Sequence, residues 1–313
     1  MCPPQRGGAR VPDERKPSAR ESGRYTMKLV SYRHAGQESF GRLVGSAVID
    51  CRAATPYHSI QEVLHHEALP EIRRVTEGRR PDVEIADVDL LPVIVSPAKV
   101  ICVGLNYKSH RDESGRAPDA KPTIFTRFAD TQIGAGHPVT IPAVVEKFDY
   151  EGELAVIIGR SARHVDVVDA FSYVAGYAPY NDFSARDWQK HSGQWTPGKN
   201  FTGTGAFGPA MVTADEVGEV EDLLLETRVN NEVRQSARVG ELIFTIPELI
   251  AYITTFTELN AGDVIVSGTP GGVGLFRDPP VFLGDGDVVE VEISRLGTLR
   301  TPVRSAQRVE ASG

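Results

Sequence analysis

Hydrophobic residues along the chain fall mostly in short runs broken by Gly, Pro, Asn and Asp, and this pattern predicts many strands and few helices. MKLVSYR, GRLVGSAVIDC and VDLLPVI predict short strands between Met27 and Pro97, with SIQEVLHHEALPEIRRVTEG as the one convincing helix there. After SPAKVICVGLNY the predicted strands include FDYEGELAVIIG, YVAGYAPYNDF, LLLETRVNNEV and DVIVSG. VDVVDAFSYV and TIPELIAYITTFTEL predict two helices, the second with Pro247 in its first turn, where a missing N–H is tolerated. The expected class is therefore α+β and β-rich rather than a regular βαβ repeat. The organisation reads as a leader over residues 1–26, a small N-terminal α+β domain over 27–97, a main domain over 98–304 and a tail over 305–313.

One predicted strand carries an electrostatic problem. In FDYEGELAVIIG, side chains alternate between faces, so Glu151 and Glu153 point the same way, with Asp149, Ala155 and Ile157. Phe148, Tyr150, Leu154, Val156 and Ile158 point the other way, into apolar packing. Two neighbouring carboxylates repel, so one takes up a proton or a positive charge sits between them. The alternative is that the strand begins in solvent and both are hydrated.

In YVAGYAPYNDFSARDWQ, Asp182 follows another apolar run, where a strand end could bring it to the same place. Three carboxylates without a Cys or His companion would make a hard oxygen site, suited to Mg²⁺, Mn²⁺ or Ca²⁺ rather than Zn²⁺. In GLNYKSHRDESG, His110 and Glu113 share one face if the segment is helical, and the carboxylate could then orient the imidazole as a general base. A charged surface helix is the competing reading. Lys199 stands among glycines and aromatics in TPGKNF, where a partly buried ammonium could stabilise developing negative charge. Arg186 and Gln189, four and seven residues beyond Asp182, would project from one segment as a carboxylate-binding pair.

Composition narrows the partners. The 313-residue chain has a net charge of −8, which gives no general attraction to nucleic acid or to an anionic membrane, so a small-molecule partner is expected. No stretch approaches the roughly 20 apolar residues of a membrane helix. Cys2, Cys51 and Cys102 match no zinc spacing or disulfide framework, which fits a reducing cytoplasm. The first 26 residues hold six basic and three acidic side chains and almost nothing apolar; they read as a disordered leader, with MKLVSYR as the natural opening of the first strand. GTGAFG satisfies G-x-G-x-x-G with Gly203, Gly205 and Gly208, but no hydrophobic strand precedes it and Pro209 follows, so nicotinamide binding is not expected. SGTPGGVG lacks the lysine of a phosphate loop and reads as a tight turn after DVIV.

Taken in order, GLNYKSHRDESG, PTIFTRF, FDYEGELAVIIG, YVAGYAPYNDFSARDWQ, KNF, VNNEVRQ and GDVIVSGTPGGVG resemble the fumarylacetoacetate hydrolase family over about residues 98 to 304. The resemblance implies a mixed β-sandwich roll that usually dimerises, with Mg²⁺, or alternatively Mn²⁺ or Ca²⁺, held by Glu151, Glu153 and Asp182. It implies that His110 and Glu113 form a water-activating dyad on a lid and that Lys199 completes the polar site. Arg186, Gln189 and Thr269 match substrate-contacting positions. Arg127 stands where many members have lysine followed by proline, and it is also read as substrate-binding, with a different fork geometry. The implied activity is hydrolysis of a carbon–carbon bond in a 2,4-diketo (acylpyruvate-like) acid by activated water, with an enolate leaving group, in a cytoplasmic homodimer of aromatic catabolism. Decarboxylation of a 2-oxo diacid, isomerisation or hydration on the same site is the alternative, and a non-catalytic binding protein a weaker one.

Overall fold

The computed structural model describes residues 26–117 and 120–306. All of the expected leader except Thr26, and residues 307–313 of the tail, lie outside the described residues.

The β-rich expectation holds. A large mixed sheet runs in the order Val83–Glu84, Ala47–Asp50, Gln37–Val44, Lys28–His34, Met211–Thr213, Val174–Asp182, Gly152–Ile158, Val264–Val266, Val100–Gly104 and Thr123–Arg127. The strands before residue 98 thus extend the edge of the sheet that carries Glu153, through Lys28–His34 against Met211–Thr213. Val264–Val266 pairs parallel with Val100–Gly104, while its other neighbour is antiparallel. A second sheet, Glu232–Arg238, Leu224–Val229, Val288–Ile293, Gly297–Ser305 and Val139–Ile141, packs on the first. Asn230 and Asn231, both at positive φ, form the two-residue turn joining its first two strands.

The alternation read from FDYEGELAVIIG decides the layering. Leu154, Val156 and Ile158 enter the core shared with the second sheet, together with Phe148 and Tyr150. Ala155 and Ile157 face the opposite core, with Ile60, Val63, Leu64 and Ile72 of the N-terminal helices. Burying a side chain of Leu, Val or Ile size contributes about 1.5–3 kcal/mol, so both faces are strongly specified.

Three elements differ from expectation. The long N-terminal helix is two, Ile60–His65 and Leu69–Thr76, because Glu67 takes a positive φ of 51° and Pro70 restarts the helix in its first turn. VDVVDAFSYV forms a 3₁₀ helix, Val167–Tyr173, and VDLLPVI keeps only Asp89–Leu90 as strand before Pro92. FDYEGELAVIIG is interrupted: Phe148–Asp149 pairs with Ser184–Ala185, and the long strand starts at Gly152. At the break, side chains replace the ladder, since Asp149 accepts the Tyr150 N–H and Asn181 accepts the Glu151 N–H. The helix Ile246–Phe256 forms as expected, with a reciprocal cap between Thr245 and Glu248. GTGAFG makes the short strand Gly205–Phe207 and opens no helix.

Candidate active site

Strand register gathers the carboxylates. Gly152–Ile158 runs antiparallel to Val174–Asp182 with Glu153 opposite Tyr180. Asp182 lies two residues beyond Tyr180, on the same face, and donates its N–H to the Glu151 carbonyl at 2.9 Å. Glu151, Glu153 and Asp182 therefore converge, with one oxygen of each within 4.8 Å of the others. All three are buried, which removes the hydrated-strand reading.

Buried cations interleave them. Lys199 Nζ donates to Glu151 Oε2 at 2.6 Å and Asp182 Oδ2 at 2.7 Å, with the Phe125 ring centroid 5.1 Å away. Arg186, from the short helix Arg186–Gln189, donates through Nη1 to Glu151 Oε1 at 2.5 Å and through Nε to Asp149 Oδ2 at 2.8 Å. Its Nη1 also reaches Gln189 Oε1 at 3.1 Å. Arg127 donates to Asp182 Oδ1.

Four buried carboxylates, counting Asp149, thus face three buried cations. The excess charge falls on Glu153, which accepts one hydrogen bond among the described residues, from the Gly268 N–H at 2.6 Å. Burial, reinforced by Asp182 and Glu151, pushes the Glu153 carboxyl well above its ordinary range. Burial also raises Glu151, but Lys199, Arg186 and His110 outweigh it and bring that carboxyl down to about 2. For Lys199, burial opposes the charge, and Asp182 with Glu151 more than restores it. A donor set of three clustered carboxylates with one uncompensated negative charge could hold one hard divalent cation.

His110 and Glu113 sit on the helix Lys108–Ser114, as their spacing required. His110 Nδ1 meets Glu113 Oε1 at 2.6 Å, and the imidazole is buried against Phe276, ring centroids 5.9 Å apart. The other Glu113 oxygen accepts the Gly272 N–H at 2.8 Å. The surface-helix alternative for this pair therefore fails. SGTPGGVG is an irregular loop after Val264–Val266, with a bend at Gly271 rather than a tight turn, and its backbone donors serve both halves of the site: Gly268 holds Glu153, and Gly272 holds Glu113. Gly272 has φ +106°, and an added Cβ would lie 2.1 Å from the Arg234 carbonyl oxygen, so only glycine fits.

These groups border a cavity of about 500 Å³ lined by His110, Glu151, Glu153, Arg186, Gln189, Lys199 and Thr269 among others. Thr269 Oγ1 donates to the Gly152 carbonyl at 2.9 Å and accepts from Gln235 Nε2 at 2.8 Å.

Arg127, expected to bind substrate, lies apart from this lining. It is 2 % exposed, is not among the lining residues, and spends its guanidinium on Asp182, the Phe183 carbonyl (3.2 Å) and Thr204 Oγ1 (2.7 Å). Its guanidinium is turned to Asp182 and away from that lining; a strand side chain's face follows from register, which the local sequence does not contain.

Two residues escaped the sequence reading of the site. Asp149 was placed on the face of Glu151 but given no part; it anchors Arg186 and accepts the N–H groups of Gly274 (2.8 Å) and Leu275 (2.9 Å). Gln235 bridges the second sheet to the Thr269 turn, and the stretch VNNEVRQ that contains it was the only signal. The free cysteines Cys51 and Cys102 are buried and take no part. Among the described residues, no helix is long and apolar enough to cross a membrane.

The Fumarylacetoacetate (FAA) hydrolase C-terminal family matches residues 99–304. The chain is 37% identical over 285 residues to the mitochondrial oxaloacetate tautomerase Fahd2a of Rattus norvegicus, covering 87% of this chain and 90% of that protein. Among solved structures, it is similar to a fumarylacetoacetate hydrolase from Exiguobacterium antarcticum (34% identity, TM-score 0.77). It is also similar to the maleylpyruvate hydrolase of Sphingobium sp. SYK-6 in complex with manganese(II) ion and pyruvate (26% identity, TM-score 0.76). Both similarities cover 90% of this chain and 100% of the other. A matched family region containing every one of the converging side chains leaves one conclusion: this chain belongs to the fumarylacetoacetate hydrolase family.

Proposed function

We propose that the chain is a divalent-metal-dependent enzyme of 2-oxo acids that interconverts keto and enol forms. The supporting observation is the buried His110–Glu113 pair, whose imidazole lines the same cavity as the acidic floor. Glu151, Glu153 and Asp182 would hold Mg²⁺ or Mn²⁺, which when bound supplies Lewis-acid stabilisation of negative charge on the substrate oxygens. Manganese with pyruvate in the Sphingobium enzyme supports a 2-oxo acid at such a floor.

His110 acts as the base. Glu113 accepts a hydrogen bond at Nδ1, which leaves the other ring nitrogen with its lone pair to take a proton from the carbon beside the 2-oxo group. The C–H electron pair becomes the enol double bond, the carbonyl pair moves onto oxygen, and that oxygen takes up a proton. The Glu113 carboxylate stabilises the imidazolium formed meanwhile. Gln189 and Thr269 line the cavity where they can orient the substrate carboxylate.

Hydrolysis of a 2,4-diketo acid is the second reading, favoured by the same dyad acting on water and by similarity to the Sphingobium hydrolase. It requires a separate donor for the oxyanion at the distal carbonyl. Lys199, expected in that role, is 1 % exposed and committed to Glu151 and Asp182, which supports our putting tautomerisation ahead of hydrolysis.

The test follows the enol absorbance of oxaloacetate and of an acylpyruvate series with Mg²⁺ or Mn²⁺, with and without chelator, products identified. Metal-dependent keto–enol relaxation of oxaloacetate without pyruvate or carbon dioxide is the expected result. Acylpyruvate cleavage to pyruvate and an acid would make the enzyme a hydrolase, and pyruvate from oxaloacetate a decarboxylase. No chelator-sensitive change with any substrate would overturn the reading.

A further inference from the structure

The residues just before Glu151 reach beyond their own strand. Asp149 is fully buried, and its carboxylate accepts hydrogen bonds at both oxygens. Oδ1 takes the N–H groups of Tyr150 at 2.9 Å and Gly274 at 2.8 Å, and Oδ2 takes the Leu275 N–H at 2.9 Å and Arg186 Nε at 2.8 Å. Donors converging on both oxygens are satisfied by a carboxylate and not by an amide, which would turn its own N–H groups toward them. The contact with the loop is close. A Cβ added at Gly274 would lie 2.7 Å from Asp149 Oδ1 and 2.0 Å from the Val281 carbonyl oxygen, so glycine is needed there. Tyr150 grips the same loop, donating its hydroxyl to the Gly272 carbonyl at 2.9 Å.

The loop in turn holds the dyad. The Gly272 N–H donates to Glu113 Oε2 at 2.8 Å, while Glu113 Oε1 meets His110 Nδ1 at 2.6 Å. Phe276, at the end of the 3₁₀ turn Gly274–Phe276, packs on the His110 imidazole and lines the cavity beside Leu275. Asp149 therefore joins the two halves of the site. It reaches Glu151 of the acidic floor through Arg186, and both members of the dyad through the loop.

We infer that Asp149 is a positioning residue: with Tyr150 it clamps the loop over residues 272–276, and so fixes where His110 stands relative to the acidic floor. Neither clamp side chain lines the cavity, so neither touches substrate. The inference rests on the proposed role of His110 as the base and adds what places it.

The test compares Asp149→Asn and Tyr150→Phe with the wild-type chain by amide hydrogen exchange and by steady-state kinetics of oxaloacetate keto–enol relaxation at saturating Mg²⁺. Exchange at Gly272, Gly274 and Leu275 should quicken in both variants, while the strand Gly152–Ile158 keeps its protection. In Asp149→Asn, kcat should fall about 10- to 100-fold, the loss that a misplaced catalytic group brings. In Tyr150→Phe, which removes one neutral hydrogen bond, it should fall about two- to tenfold. KM should stay within about twofold in both, because the loss is confined to the transition state. Mg²⁺ affinity should fall by less than the roughly tenfold that marks loss of a metal ligand's own partner. Faster exchange with kcat unchanged would leave Asp149 a structural anchor and overturn the inference. A kcat loss matched by an equal loss of Mg²⁺ affinity would do the same, since the effect would then lie in the floor. If Asp149→Asn does not fold, Tyr150→Phe decides by the same measurements. Unchanged exchange at Gly272 overturns the clamp alone, whereas absence of keto–enol activity in the wild-type chain overturns the reading of His110 on which it rests.

Discussion

Replacing Arg127 by lysine keeps the charge and removes the fork, and the structure fixes what is lost. Arg127 donates to Asp182, the Phe183 carbonyl and Thr204 Oγ1 from a site that is 2 % exposed. Lysine offers a single ammonium that can follow Asp182 but not also span to Thr204. Losing two hydrogen bonds from a buried charged donor, at about 1.5–3 kcal/mol each, less what lysine recovers, gives a destabilisation of roughly 2–4 kcal/mol. At about 2–4 °C per kcal/mol for a chain of this size, the melting temperature should fall by roughly 4–16 °C. Asp182 keeps Lys199 at Oδ2 but has at Oδ1 an ammonium no longer fixed by Phe183 and Thr204, so metal affinity should fall about 10- to 100-fold, as for other partners of metal ligands. The substrate KM at saturating metal should stay within about twofold, because Arg127 does not line the cavity. Thermal unfolding, metal titration and steady-state kinetics on the one variant separate these effects. A KM raised tenfold or more with melting temperature and metal affinity unchanged would refute the placement and restore a substrate-binding role.

Three further outcomes follow from the site. His110→Ala should slow turnover by about 10²–10⁴, the usual loss for a general base, while metal affinity measured by titration stays close to wild type; a wild-type rate would remove the dyad from the mechanism. Glu151→Gln removes one ligand charge and half the pairing of Lys199 and Arg186, so the purified variant should retain substantially less metal by elemental analysis, and full occupancy would sink the ligand assignment. Because burial, Asp182 and Glu151 raise the Glu153 carboxyl, it keeps its proton at pH values where an ordinary glutamic acid has lost it. Metal binding must displace that proton, so affinity should fall as pH is lowered and binding enthalpy should vary with buffer ionisation enthalpy; buffer-independent enthalpies would contradict it.

The local chemistry of the chain was legible wherever it depends on periodicity. Two-residue alternation in FDYEGELAVIIG assigned Glu151 and Glu153 to one face and Leu154, Val156 and Ile158 to the other, and the i, i+3 spacing put His110 beside Glu113. What alternation cannot supply is the partner. That Asp182 meets Glu151 depends on the register between strands separated by a 3₁₀ helix, and that Lys199 sits between them depends on the short helix Thr196–Lys199 packing over both. The same limit explains Arg127: its charge was visible in PTIFTRF, yet only the packing of its strand decided that it faces Asp182 and not the cavity. The interrupted strand at Tyr150 was likewise set by side-chain hydrogen bonds that replace regular pairing, whereas the helix break follows the positive φ of Glu67 and the restart at Pro70. Sequence alone determined which residues could carry charge, which faces would be apolar and where the turns must be, because these are properties of neighbours along the chain. The tertiary structure decided which charges meet, because the energy of a buried carboxylate is set by the groups that register and loop closure bring within a few ångströms of it.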